Sequence, residues 1–319
     1  MKLRLLILTI GLFGCVEHNF FVKVFPNGDY YVDYNAHGEK NDLLNHDFPM
    51  PSNNKWNIYS TIDSIEAESY DYTANRLFYH KETFPTSFFN SDSIYLESLI
   101  QHPTKIKYIN LFFVEKYIFD CRIKGRSVNN KYPLITQLIS NKDNPPKNWL
   151  HESLKYLLLE TINQTNLDWN IRPIIEAELN DWFQNHLLSI SDSTLFDELE
   201  YYKNLGLDII MQPVTTNLYT KMDSIFKILE DELEITLELD GDSFDYQLML
   251  PGILTSANAD TLMGDTLLWS FDLSNFINDD YHMFAQSTIV HSYRIKFAII
   301  LTIIMLSSIF FLRFKLNKT

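Results

Sequence analysis

Polar and apolar positions alternate along the first third of the chain, recur at helical spacing through the middle, and alternate again near the end. In NFFVKVFPNGDYYVDY, apolar residues alternate on either side of Pro26-Asn27-Gly28-Asp29, with Phe21, Val22 and Val24 before it and Tyr30, Val32 and Tyr34 after. An Asn-Gly turn between two such runs predicts a β-hairpin. WNIYSTIDSIEAESYDYT and NRLFYH read as strands, FPTSFFNSDSIYLESLIQ as a segment able to hold a short helix, and KIKYINLFFVEKYIFDCRIKG as strand material ending at Gly125.

The period changes after Pro145-Pro146. Leu150, Leu154, Leu157, Leu158 and Ile162 recur at helical spacing, as do Ile174, Ile175, Leu179, Trp182, Phe183 and Leu187 after Pro173. A proline is tolerated in a helix's first turn. Thr194 to Asp197 resembles a capping box, and Gly206 reads as a helix stop. Leu218, Met222, Ile225, Phe226, Leu229 and Leu233 form a third stripe, and all three are core faces. Strands return in ITLELDGDSFDYQLML, read as a hairpin about Asp240-Gly241-Asp242, and in DTLMGDTLLWSFD, read as a hairpin about Gly264-Asp265. YHMFAQSTIVHSY makes the last strand. Strands, then helices, then strands predict an α+β fold: an antiparallel sheet built from N- and C-terminal strands with a central helical insertion.

Two runs break both periods. Lys2 and Arg4 precede nine residues, Leu5 to Phe13, of which only Thr9 is polar, and Gly14-Cys15 follows. A basic start, a short apolar stretch and a small residue before a Cys describe a lipoprotein-type secretory signal, residues 1–14, with Cys15 as the lipidated position. The second run, Phe297 to Leu312, is sixteen uncharged residues between Lys296 and Arg313, apolar on every face. It reaches roughly 24 Å at ~1.5 Å per residue. Snorkelling of the flanking basic side chains closes much of the gap to a ~30 Å hydrocarbon core. A transmembrane helix follows, with Arg313, Lys315 and Lys318 cytoplasmic against Arg294 and Lys296 outside. The organisation expected is a signal at 1–14, an ectodomain with a strand-rich part at 15–131, a helical part at 132–233 and a second strand-rich part at 234–293. A membrane helix at 294–313 and a cytoplasmic tail at 314–319 complete it.

Charge then limits the partners. Nineteen of the 26 Lys and Arg and all 41 Asp and Glu lie in residues 16–293, a balance of −22. Such a field repels nucleic acid, so none is expected as a partner. The nine glycines include no G-x-G, which removes the familiar phosphate-cradling loops. No two of the nine histidines lie closer than nine residues. His151-Glu152 starts like a zinc-protease helix, but Lys155 stands where the second His belongs. Asp240, Asp242 and Asp245 fall short of a calcium loop because Phe244 takes a ligand position. No G-x-S-x-G elbow is present. Cys121, in YIFDCRIKG, has no partner if Cys15 is acylated and reads as a buried free thiol. The expectation is no catalytic residue, no metal and no cofactor.

One segment resembles a known family. LMLPGILTSANADTLMGDTLLWSFDLSNF, followed by YHMFAQST, is similar to the C-terminal part of the LppM-like extracytoplasmic lipoprotein domain. The matching positions are Leu250-Pro251-Gly252, Asn258-Ala259-Asp260, Gly264-Asp265 and Trp269. The hairpin about Gly28 resembles that family's opening hairpin after its lipidated Cys. The resemblance implies an exported, membrane-tethered domain, linked in some relatives to envelope lipids, and it carries over no catalytic residues. Together these readings describe a bacterial cell-membrane protein with its main domain extracytoplasmic. Its membrane contacts are the lipid at Cys15 and the helix at 297–312, and its role is to bind a lipid, glycan or protein partner. The alternatives are an exported hydrolase using a carboxylate pair, or a scaffold subunit of a membrane complex.

Overall fold

The computed structural model describes residues 16–43, 48, 50–62, 69–86, 88, 101–141, 146–212, 214 and 216–316. The expected signal at 1–14, Cys15 and most of the 84–101 stretch read as a possible short helix lie outside them. Eleven strands among these residues form two sheets around one core. The larger sheet contains β1 (Glu17–Val24), β2 (Tyr30–Glu39), β3 (Asn57–Ile62) and β4 (Ser69–Phe78) from the N-terminal side. From the C-terminal side it takes β7 (Ser243–Met249), β9 (Thr261–Met263) and β10 (Thr266–Asp272). Its order is β3-β4-β2-β1-β7-β10-β9. The smaller sheet, in order, is β5 (Thr104–Asn110), β6 (Val114–Ile123), β11 (Tyr281–Val290) and β8 (Ile253–Ala257). Both ends of the chain thus share each sheet, and the fold is α+β. Pairings are antiparallel except that β1 runs parallel to β7, with Glu17 opposite Ser243 and Lys23 opposite Met249.

Alternation decides which face each strand buries. Phe20, Val22 and Val24 of β1, Val32 and Tyr34 of β2, and Tyr117, Phe119 and Cys121 of β6 all point inward. The sheets meet where Phe119 packs against Tyr246 and Trp269, with ring centroids 5.5 and 6.0 Å apart. Among the connections that carry the chain between sheets are the Pro251-Gly252 corner from β7 to β8 and the single turn α9 (Leu273–Phe276) before β11. A short helix, α1 (Lys40–Leu43), follows β2.

The helical layer leaves from β6 and returns to β7. It contains α2 (Val128–Lys131), α3 (Pro133–Ser140), α4 (Trp149–Gln164), α5 (Arg172–Asn185), α6 (Asp192–Asp197), α7 (Leu199–Met211) and α8 (Thr216–Glu238). Buried Arg126 ties the layer to the sheet: its Nε and Nη2 donate to Thr236 Oγ1 at 3.1 and 2.8 Å.

Three local expectations are corrected here. Residues 235–238 are the end of α8, not the first arm of a hairpin, because Leu237 continues the helical stripe of Met222, Phe226, Leu229 and Leu233. Gly206 lies inside α7, where a Cβ would come within 2.5 Å of Leu158 Cδ1, so close helix packing and not termination requires the glycine. The cap of α6 is Ser191, whose Oγ accepts from Thr194 N at 3.1 Å.

Candidate functional site

After β11 the chain passes through His291 straight into the terminal helix, α10 (Ser292–Leu316). Its stretch Ser292–Phe310 has a mean hydropathy of 1.8, and none of it is buried against the rest of the protein. At ~1.5 Å per residue these 19 residues span roughly 28 Å, close to the hydrocarbon thickness of a bilayer. The helix starts earlier than the apolar run, so Arg294 and Lys296 sit in its first turns.

A collar of side chains fixes the base of α10 to the β5–β6 turn. His291 N donates to Phe113 O at 2.9 Å, and Arg294 Nη1 donates to Phe112 O at 2.7 Å. The Arg294 guanidinium lies 5.5 Å from the ring centres of both Phe112 and Tyr293, a cation–π arrangement on exposed rings. Glu115 stands 2.9 Å from the His291 imidazole and accepts from Tyr117 OH at 3.0 Å. The imidazole beside it holds the Glu115 carboxyl below its usual range despite desolvation. Tyr117 OH also reaches Pro26 O at 2.7 Å, linking the collar to the β1–β2 turn of the other sheet. Phe112 takes a left-handed φ of 63°, uncommon for an aromatic residue, with its N–H held by Asn110 Oδ1 at 2.9 Å. The sequence reading missed this turn, because Leu111-Phe112-Phe113 is apolar throughout and passes for strand. Asn110 is the one local sign of it.

Of the turn residues singled out from sequence, Gly28 and Gly252 lie at the collar's end of the two sheets. Gly28, at φ 86°, ends the β1–β2 turn, and a Cβ there would meet the Tyr108 side chain at 2.9 Å. Gly252, at φ 88°, leaves no room for a Cβ, which would lie 2.3 Å from Thr288 O, while Pro251 O accepts from Ser287 Oγ at 2.7 Å. Gly264, at φ 61°, turns the β9–β10 hairpin in open space. Trp269 stands apart from them, buried in the core between the sheets. Val16, the neighbour of Cys15, is buried at the opposite end of β1, where its carbonyl accepts from Ser243 N at 3.0 Å.

That opposite end holds the other concentration of polar groups. Buried His18 places Nδ1 2.8 Å from Tyr34 OH and Nε2 3.3 Å from Asp242 Oδ2, and Asp242 Oδ1 accepts from Val16 N at 3.2 Å. Burial pushes the His18 imidazole down to about 3. Burial, then the nearby charges of Asp242 and Glu39, pushes Asp42 up to about 7. The folded state therefore holds the Asp42 proton between pH ~4 and ~7 while the unfolded chain releases it, so this group's contribution to stability falls as pH rises across that window. Asp42 is only half-buried, so the full shift is discounted for solvent screening to about 1–2 kcal/mol. Urea midpoints of wild type and Asp42→Asn are expected to diverge in the variant's favour from pH 5 to pH 8. His18 acts with the opposite sign, costing stability as pH falls from 6.5 toward 3, and cancels from this comparison because both proteins carry it.

Cys121 is fully buried, and its thiol is pushed up to about 12 by burial. It is expected to resist maleimide at pH 7.5 until the chain is denatured. An open cleft of about 680 Å³ lies between α5 and α7, lined by Trp182, His186, Tyr201, Tyr202, Asp208 and Gln212 among others. Among the described residues no group of three or more His, Cys, Asp or Glu is arranged to hold a metal ion.

No family model matches the chain. No curated protein matches it either. Among solved structures, the NMR structure of the folded domain of the Mycobacterium tuberculosis LppM protein is similar at a TM-score of 0.33 and 8% sequence identity, covering 88% of this chain and 94% of that one. This is a distant structural resemblance, and no functional statement rests on it.

Proposed function

We propose that the protein is a membrane-anchored envelope protein whose α+β body stands on the extracytoplasmic side and serves a binding role, taking up a lipid, glycan or protein partner at the membrane surface. The observation that carries this reading is α10: 19 residues of high mean hydropathy, wholly unburied, joined to the domain without a linker. A core helix of that length would bury one face, and an interfacial helix would show a polar one. Orientation draws on the basic-then-apolar start of the chain and on three basic residues after Leu312 against two before Phe297. The cleft beside Trp182 and Tyr201 supplies aromatic and hydrogen-bonding groups for a partner. Alkaline carbonate washing of membranes tests the anchor. The full chain is expected to stay in the pellet, and its appearance in the wash supernatant contradicts the reading.

Asp42 and Asp242 give the hydrolase reading a supporting feature, a carboxyl raised to about 7 beside a second acid. Asp242, however, is buried and engaged by Val16 N–H and His18. Those bonds tie down the N-terminal end of β1, which accounts for the cluster as a structural one.

A further inference from the structure

The end of the two sheets from which α10 leaves is also where four turns carry exposed apolar side chains. Strand register places them together. Lys23 pairs with Met249 and Met249 with Thr266, while Tyr30 pairs with Phe78. In the other sheet Val114 pairs with Val290, and Ile253 with Thr288. The bonds from Tyr117 OH to Pro26 O and from Ser287 Oγ to Pro251 O fasten the two sheets to each other at this end. Tyr79 after β4, Leu111 and Phe112 between β5 and β6, Ile253 at the β7–β8 corner and Met263 in the β9–β10 hairpin are 55–72% exposed.

Scattered surface leucines need no explanation, but large apolar side chains on several separate turns at one end of a domain do. Their neighbour here is fixed: α10 begins two residues beyond Val290, so these turns lie beside whatever surrounds its first residues. Phe113 already lines one groove with Ile295, Ala298, Ile299, Thr302 and Ile303. The charges at this end also differ from the acidic body. Lys23, Lys116, Arg294 and Lys296 stand among the turns. Three acids there are engaged: Asp29 accepts from His80 N at 2.9 Å, Glu82 pairs with Arg76 at 3.0 Å, and Glu115 pairs with His291. Asp265, in the β9–β10 turn, shows no such pairing among the described residues.

Taking α10 as a membrane span, we propose that this rim is seated in the headgroup–acyl boundary of the same bilayer and holds the domain upright, with the helical layer pointing away. Buried apolar area and basic side chains at phosphate level are the two terms that bind interfacial segments. The posture has a consequence for Cys15. β1 runs from the rim at Val24 to Val16, eight steps of ~3.3 Å, or about 26 Å along the strand. An acyl chain on the residue next to Val16 does not enter the leaflet in which the rim is seated unless the domain lies down.

The test uses the full chain with Cys15→Ser, reconstituted in vesicles of phosphatidylcholine and phosphatidylglycerol. One nitroxide is attached at Phe112→Cys, at Met263→Cys, at Trp169→Cys in the exposed α4–α5 loop, or at Thr302→Cys on α10. Collision with oxygen, which concentrates in the bilayer, is compared with collision with a water-soluble nickel chelate. Labels at 112 and 263 are expected to be several-fold less accessible to nickel than the label at 169, and 263 serves alone if the Phe112 variant misfolds. Nickel accessibility at 112 and 263 equal to that at 169, with 302 shielded, overturns the seated rim and leaves the anchor standing. A label at 302 that also meets nickel freely overturns both.

Discussion

Trp269→Ala is expected to destabilise the domain by about 3–5 kcal/mol, read as a lower urea midpoint of the full chain in detergent micelles. The indole is 1% exposed and fills the space between the sheets against Phe119 and Tyr246. Its Nε1 donates to Asn258 O at 3.2 Å and to Asn258 Oδ1 at 3.1 Å. Truncation therefore leaves a cavity and removes hydrogen bonds from the residue that joins β8 to β11: Asn258 Oδ1 also accepts from Phe284 N, and its amide donates to His282 O. Trp269→Phe keeps most of the volume and loses the N–H, so a smaller loss of about 1–2 kcal/mol is expected. Because whole domains are stable by only about 5–15 kcal/mol, the alanine variant is also expected to accumulate poorly in cells. Equal midpoints for wild type and Trp269→Ala contradict the packing described.

The second large effect concerns α10. Ile304→Arg combined with Met305→Arg puts two guanidinium groups near the middle of the apolar stretch, each costing about 2.5–3.5 kcal/mol on insertion scales. The double variant is expected to move from the carbonate-resistant pellet to the supernatant, whereas Ile304→Leu with Met305→Leu stays with the membranes. Retention of the arginine variant in the pellet means that another part of the chain holds the protein there.

Much of this architecture is written locally. Asn27-Gly28 and Gly264-Asp265 announce their hairpins because few other residues accept a positive φ, and the stripes of α4 and α8 announce a helical layer because only a 3.6-residue period aligns them. What is not local is not legible. The parallel partnership of β1 and β7 joins residues more than two hundred apart, and no turn residue marks it. Residues 235–238 satisfy both periods at once, since Ile235 and Leu237 alternate as in a strand while Leu233 and Leu237 are one helical turn apart; tertiary packing chooses the helix. Gly206 carries the ordinary signal of a helix end and is used for contact with Leu158. The rim is hardest to see in advance. Its side chains come from turns between residues 79 and 263, and Leu111-Phe112-Phe113 carries no glycine or proline to mark it as a turn. The anchor run 297–312 needed no structure to be noticed, but the collar of Arg294, His291, Glu115 and Phe112 did.

Two-sided cysteine labelling tests most directly whether an acidic body is held outside the membrane by a single span. In a Cys15→Ser background, with Cys121 inert in the folded protein, Trp169→Cys and Lys318→Cys are treated with a membrane-impermeant maleimide on intact spheroplasts. Labelling at 169 without permeabilisation, and at 318 only after it, is the expected result; the reverse pattern, or equal labelling of both before permeabilisation, contradicts it.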